Sequence, residues 1–316
     1  MKISLVFLFG LLVNLALTQN RYQQIVETEY RGDTLVLIST KEPVAGIVYL
    51  EDKDDGFLME EQYFNGIKNG YSKMLKNNIV LTSENYKNGV QDGESKSYHD
   101  DGQKKSESFY KGGIQEGITR YWHPNGQLKY EVNIVNGLDE GSLKVFYENG
   151  KIQFDQNYVN GKLEGKSIEC YESGEMKKME FWKGGLLDGN SIGYSTEGLF
   201  TFKILYKAGK RHGKCQWFMP NGFPGQMKCE ANYENDEQNG LTTMWHDNGQ
   251  VFHKGNYKNG RIDGICRSWH PNGEKSIQIK WKSEKMVYEK FWDENGNKIK
   301  YDGPPIPPPP HSIYKN

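Results

Sequence analysis

Cysteine is scarce in this chain of 316 residues: Cys170, Cys215, Cys229 and Cys266 are its four. No two stand as C-x-x-C, which excludes the common zinc-finger spacings. Cys215 and Cys266 share a phase of the pattern described below but lie two of its units apart. That is roughly 19 Å at about 4.8 Å per strand, beyond disulfide reach. Cys215 and Cys229 fall on neighbouring segments, and a bond between them stays open. An excess of either charge is also lacking. Lys and Arg total 40, Asp and Glu 41, and the signs are interspersed. That balance gives no electrostatic footprint for nucleic acid or an anionic membrane. Proline is thin until the end, where six of eleven fall in residues 304–310. The tail, 301–316, therefore reads as an extended, polyproline-like spacer or docking peptide.

Long apolar runs are missing after residue 18. The one run, "ISLVFLFGLLVNLALT" after Lys2, ends in small residues. It reads as a secretory signal peptide over 1–18, with cleavage near Thr18 or Gln19. An uncleaved anchor is the alternative, but the run is short for a span and contains Asn14. The expected location is therefore outside the cytoplasm: periplasm, cell surface or medium. No later stretch is apolar enough to cross a membrane as a helix.

What the chain has in abundance is glycine, 36 residues, set at fixed intervals. "NGLDEGSLKVFYENGKIQFDQNYV" shows one 24-residue unit, with marks at Gly137, Gly141 and Gly150. The second mark recurs at Gly70, Gly93, Gly117, Gly141, Gly165, Gly189, Gly213, Gly240 and Gly264. Phe223 to Gly225 reads as a three-residue insertion in one connection. A period of this size marks a repeat architecture. Between marks lie segments such as "KYEVNIV" and "SLKVFY", too short for the usual helix and rich in aromatic and β-branched residues. Asn-Gly and Asp-Gly supply hairpin turns. The expected fold is all-β: an elongated, single-layer antiparallel meander of about ten hairpins. Its connections alternate between a G-x-x-x-G loop and an x-x-N-G loop. Parallel pairing is not expected, since no crossover helix fits. Residues 19–56 read as a cap or worn first unit, with Gly46 lying 24 residues before Gly70, and 57–300 as the array. Turns lacking a glycine mark, at Asp236 and Val287, are expected to be looser.

"YKNGVQDGESKSYHDDGQ", "NGQLKYEVNIVNGLDEGSLKVFYENGK" and "YKNGRIDGICRSWHPNGEK" resemble the MORN-repeat family in its bacterial variant form. The resemblance covers residues 57 to about 300. It departs at "STEGLF" and "AGKRHG". Proteins of this form are often exported, and many are called YwqK-type antitoxins. The resemblance implies a hairpin array used as a scaffold, with no catalytic residues in the motif and no cofactor.

Three residue rows are candidates for function. The first is aromatic. Three residues before the first mark stand Tyr63, Tyr86, Tyr110, Tyr158, Trp182, Tyr206, Tyr233 and Tyr257; five after the second stand Tyr98, Trp122, Phe146, Tyr194, Phe218, Trp245 and Trp269. Stacked aromatics hold thin sheets together. The functional alternative is a binding face for a protein or glycan made by Tyr98, Trp122, Tyr194, Trp245 and Trp269. The second row is acidic: Asp92, Glu116, Glu140, Glu164, Asp188 and Asp263. At roughly 10 Å per unit and with no cleft, it suits neither a glycosidase pair nor calcium, and reads as turn chemistry. The third is His99, His123, His246 and His270. Such spacing hardly allows shared zinc, so no metal site is expected. No nucleophile elbow or phosphate loop is present. The expectation is a non-enzymatic binding or scaffolding protein. An antitoxin-like partner is a second possibility, though an export signal opposes it. A carbohydrate-active enzyme is a third, and it would need a cleft.

Overall fold

The computed structural model describes residues 21–24, 26–219, 225–283, 285–301 and 303. The export segment expected over 1–18, the insertion at 223–224 and the tail beyond 303 lie outside them. Among the described residues every regular element is a strand. They fall into two compact units, 1–114 and 115–316.

In the first unit, strands Gly46–Asp52, Phe57–Phe64, Ile67–Lys76, Ile79–Lys87, Val90–Tyr98 and Lys104–Lys111 pair antiparallel in chain order. One pairing departs from expectation. Arg21–Gln23 runs parallel to Gly46–Asp52, Arg21 opposite Ile47. The crossover needs no helix, because the hairpin Thr28–Arg31/Thr34–Leu37 fills the connection. That hairpin buries Leu35 with Val44, Val48 and Tyr63. It is docked by backbone bonds to a turn glycine: Leu35 N donates to Gly66 O, and Gly66 N to Val44 O, both at 2.8 Å. Gly46 stands opposite Tyr63, as Gly70 stands opposite Tyr86, so residues 46–64 keep the register of a repeat.

The second unit runs from Gly117–Trp122 to Lys298–Ile299, again with strands paired in chain order. Its core contains Ile204, Cys215, Trp217, Cys229, Ala231 and Tyr233. The hairpin Leu128–Val135/Leu138–Phe146 shows how a repeat folds. Asn136 and Gly137 have φ of 52° and 77°. Two successive positive φ values make a type I′ turn, whose twist suits the flanking strands. The G-x-x-x-G loop is therefore a two-residue turn. Gly141, at φ 79°, lies inside the second strand, opposite Tyr158 of the next one. Register slips there between Glu131 and Asn133, which marks a bulge. The same glycine–aromatic pairing joins Gly165 to Trp182, Gly189 to Tyr206, Gly213 to Tyr233, Gly240 to Tyr257 and Gly264 to Trp281.

The x-x-N-G connection is different chemistry. Tyr147 N bonds Lys151 O at 2.9 Å, and Gly150 N bonds Tyr147 O at 2.9 Å. That is a three-residue loop with glycine in the left-handed position. Its Asn149 has no positive φ. The turns expected to be looser divide in two. Asn235 and Asp236 take φ of 52° and 72°, the usual type I′ values. Arg211 also clamps that turn, its N and Nε donating to Asp236 Oδ1 at 2.9 and 3.1 Å. Ala208 and Gly209 in "AGKRHG" keep the same geometry at 49° and 80°. "STEGLF" keeps the loop bonds, Ser195 N to Leu199 O and Gly198 N to Ser195 O. Val287 alone differs. It has no positive φ and is the unpaired residue where register slips between Lys280 and Trp281.

Candidate functional site

The two aromatic rows lie on opposite faces. Tyr63, Tyr233 and Tyr257 of the first row are buried. For the second row, the neighbouring residue fixes the direction. Tyr121 stacks on Tyr130 at 4.5 Å, and Trp217 belongs to the core. Successive side chains on a strand point to opposite faces, so Trp122 and Phe218 face away from that packing. Trp245 follows the core-packed Met244 in the same way.

Each candidate then meets a partner across its hairpin. Trp122 pairs with Leu128, Tyr194 with Phe200, Trp245 with Val251 and Trp269 with Lys275. The Tyr194 and Phe200 rings lie 5.2 Å apart, and Phe200 and Phe218 5.9 Å. The ladder therefore passes from one hairpin to the next. Trp122, Tyr194, Trp245 and Trp269 are half-buried. In the first unit Tyr98 is also half-buried and pairs with Lys104.

The acidic row does more than solvate turns. Glu116 accepts from Asn136 N at 2.8 Å, Glu140 from Asn160 N at 2.8 Å, Glu164 from Gly184 N at 2.7 Å and Asp188 from Ala208 N at 3.0 Å. In the first unit Asp92 does the same for Gly112 N at 2.9 Å. Each carboxylate thus reaches the first amide of the next type I′ turn. These bonds engage five of the six carboxylates of the row, all but Asp263, with turn amides.

The histidine row is also structural. His123 Nε2 lies 2.9 Å from Phe146 O, His246 Nε2 2.8 Å from Trp269 O and His270 Nε2 3.0 Å from Trp292 O. A carbonyl only accepts, so each Nε2 carries its proton there. Tyr147 and Tyr171 place a hydroxyl in the same role, toward Cys170 O and Tyr194 O. The loop asparagines add a parallel set: Asn125 Nδ2 donates to Glu148 O, Asn149 to Glu172 O, Asn248 to Pro271 O and Asn272 to Glu294 O. Among the described residues no three of His, Cys, Asp and Glu are placed to hold one metal ion.

A further row escaped the sequence reading. Two residues after the second glycine stand Ser72, Ser95, Thr119, Ser167, Ser191, Cys215, Thr242 and Cys266, with Leu143 the one large residue. In the second unit Thr119, Ser167, Ser191, Cys215, Thr242 and Cys266 are buried. Small size at that spacing was the available signal. Two of the four cysteines are therefore small residues of the packed face. All four are free, and the Cys215–Cys229 disulfide is not formed. Register explains why: Cys215 faces Ala231 and Cys229 faces Trp217, leaving the thiols diagonal. Burial pushes Cys215 up to about 11 and Cys229 up to about 12, so both stay protonated.

Residues 91–111, 115–136, 139–160 and 238–259 match the family model for the MORN repeat variant. The chain carries MORN repeats of the variant form. Among the described residues, the segment 162–213 between those matches repeats the same turn, glycine–aromatic pairing and loop. MORN repeats generally form binding scaffolds without catalytic residues. No curated protein matches the chain. Among solved structures, the Photorhabdus luminescens Tc holotoxin pore carrying TccC3-D651A is similar at 13% identity. The match covers 84% of this chain and 16% of that one, with a TM-score of 0.17. No helix among the described residues is long and apolar enough to cross a membrane.

Proposed function

We propose that this MORN-repeat protein is exported and, without catalysing a reaction, binds a protein or glycan along its outer aromatic ladder. The observation that carries the reading is the half-exposed row Trp122, Tyr194, Trp245 and Trp269 in the second unit, on the face opposite the packed one. Tyr98 holds the same phase in the first unit. Tryptophan and tyrosine give large contact area at low entropy cost. One such residue per hairpin lets several weak contacts act together. The carboxylates are held by turn amides, which favours a scaffold over a hydrolase.

Single substitutions Trp122→Ala, Trp245→Ala and Trp269→Ala test the face. Binding to envelope or glycan extracts should weaken by about tenfold or more, with the melting temperature little changed. A melting temperature lowered by several degrees, with binding by the folded fraction intact, would assign these residues to stability alone. Export rests on Lys2 and the apolar run after it. N-terminal sequencing of secreted material should begin near Gln19 or Asn20; an intact Met1 on a cytoplasmic product would refute it.

A further inference from the structure

His253 sits on the packed face of strand Val251–Lys258, only 9% exposed. Its Nδ1 is 3.1 Å from Ser268 Oγ, while its Nε2 is buried with no hydrogen-bond partner. A buried nitrogen left unmatched is costly and calls for an explanation. The next residue on that face is Gly255. The matching position carries Glu61, Glu84, Gln156 and Glu180 in other repeats. Here it carries no side chain. A methyl at Gly255 would lie 3.1 Å from His253 Nε2 and 3.2 Å from Cys266 Cβ. An imidazole nitrogen and a thiol-bearing carbon thus flank one spot, with the Tyr257 ring 3.7 Å away. Met244 stands directly opposite His253, and Cys229 directly opposite Met244.

We propose that His253 Nε2 and the thiol of Cys266, whose Cβ borders Gly255 and whose Sγ turns from Ile279 O on binding, hold a single soft monovalent cation, copper(I). Sulfur and imidazole donors are the set that soft ions select. Charge chooses the valence. One thiolate and one monovalent ion leave the buried site neutral, whereas a divalent ion would leave an uncompensated positive charge in the interior. Tetrahedral zinc would need further ligands, and the described residues bring no three of His, Cys, Asp and Glu together. The Cys266 thiol donates to Ile279 O at 3.6 Å. On binding, that proton passes to solvent, the S–Cu and N–Cu bonds form, and Nδ1–H donates to Ser268 Oγ. No electron is transferred.

The test is anaerobic titration of the full chain with copper(I) against bicinchoninate, with X-ray absorption on the loaded protein. The expected result is one equivalent held, with nitrogen and sulfur both in the coordination shell. His253→Leu and Cys266→Ser should each weaken binding by roughly tenfold or more, and Cys170→Ser should leave it unchanged. Failure of the wild type to compete would overturn the proposal. So would sulfur-only coordination insensitive to His253→Leu, which would place the ion on Cys215 and Cys229. Should either variant misfold, the coordination shell of the wild type still decides.

Discussion

Ala208 occupies a backbone position that most of the other type I′ turns give to asparagine or glycine. Its φ is 49° and its side chain is exposed, so nothing packs against the methyl to offset the strain. The left-handed region costs an L-residue with a Cβ about 1–2 kcal/mol, and asparagine tolerates it better. Ala208→Asn should therefore stabilise the second unit by about 0.5–1 kcal/mol, read as a rise in denaturant midpoint. His253 makes the opposite kind of statement. Burial lowers its pKa from the ordinary 6.5. The unfolded chain then takes up a proton that the folded chain refuses. The stability is fully present above about pH 6.5 and falls as the pH drops below it. Melting temperature should decline between pH 7 and 5.5, and His253→Gln should flatten that decline. At this scale the sequence was partly legible. Asn136-Gly137 and Asn149-Gly150 read alike as letters. The first asparagine is there for its φ, the second for a side-chain amide that reaches Glu172 O. Only the length of the connection separates them, because a two-residue loop demands two positive φ values and a three-residue loop demands one.

Between elements, the side-chain bonds that tie one hairpin to the next are testable one at a time. Glu140 accepts from Asn160 N, 20 residues on. Glu140→Ala should cost about 1 kcal/mol, while Glu140→Gln keeps an acceptor and should cost less. Equal losses for the two would mean that the bond contributes nothing. In the first unit Gly66 has no room for a side chain: a methyl would lie 2.6 Å from Leu35 O. Gly66→Ala should undock the hairpin Thr28–Arg31/Thr34–Leu37, seen as loss of amide protection at Leu35 and Val44. The hairpins themselves were readable from glycine spacing and alternation. The bulge at Gly141 was not, because glycine marks a turn and a bulge with the same letter. Neither was the parallel strand Arg21–Gln23, since the hairpin that makes its crossover stands outside the period.

For the molecule as a whole, the period says that each repeat is coupled mainly to its neighbours. Gly141→Val forces a branched side chain to φ 79° inside a strand. It should cost on the order of 1–2 kcal/mol. Hydrogen exchange should quicken in Leu128–Val135, Leu138–Phe146 and Ile152–Val159, with Val251–Lys258 unaffected. The fold class followed from the repeat. The binding face was legible as a row of aromatics but not as a face, because alternation needs a reference residue such as Trp217 known to be inside. The His253–Cys266 pair was invisible because each residue looked like an isolated departure from its row. The carboxylate, imidazole and loop-asparagine bonds between repeats run the same way along the chain, a side chain in one hairpin meeting the backbone of the hairpin after it; Asp236, which accepts from the earlier Arg211 N, runs the other way. At the last loop this stops, where Asp293 turns back on its own Asn295 and Asn297 amides. The repeats are thus linked with a direction along the chain. A tandem duplication of 24 residues leaves each link with a partner, and one of 12 residues leaves them facing the wrong strand. An array of this kind can therefore lengthen by whole hairpins with these links kept.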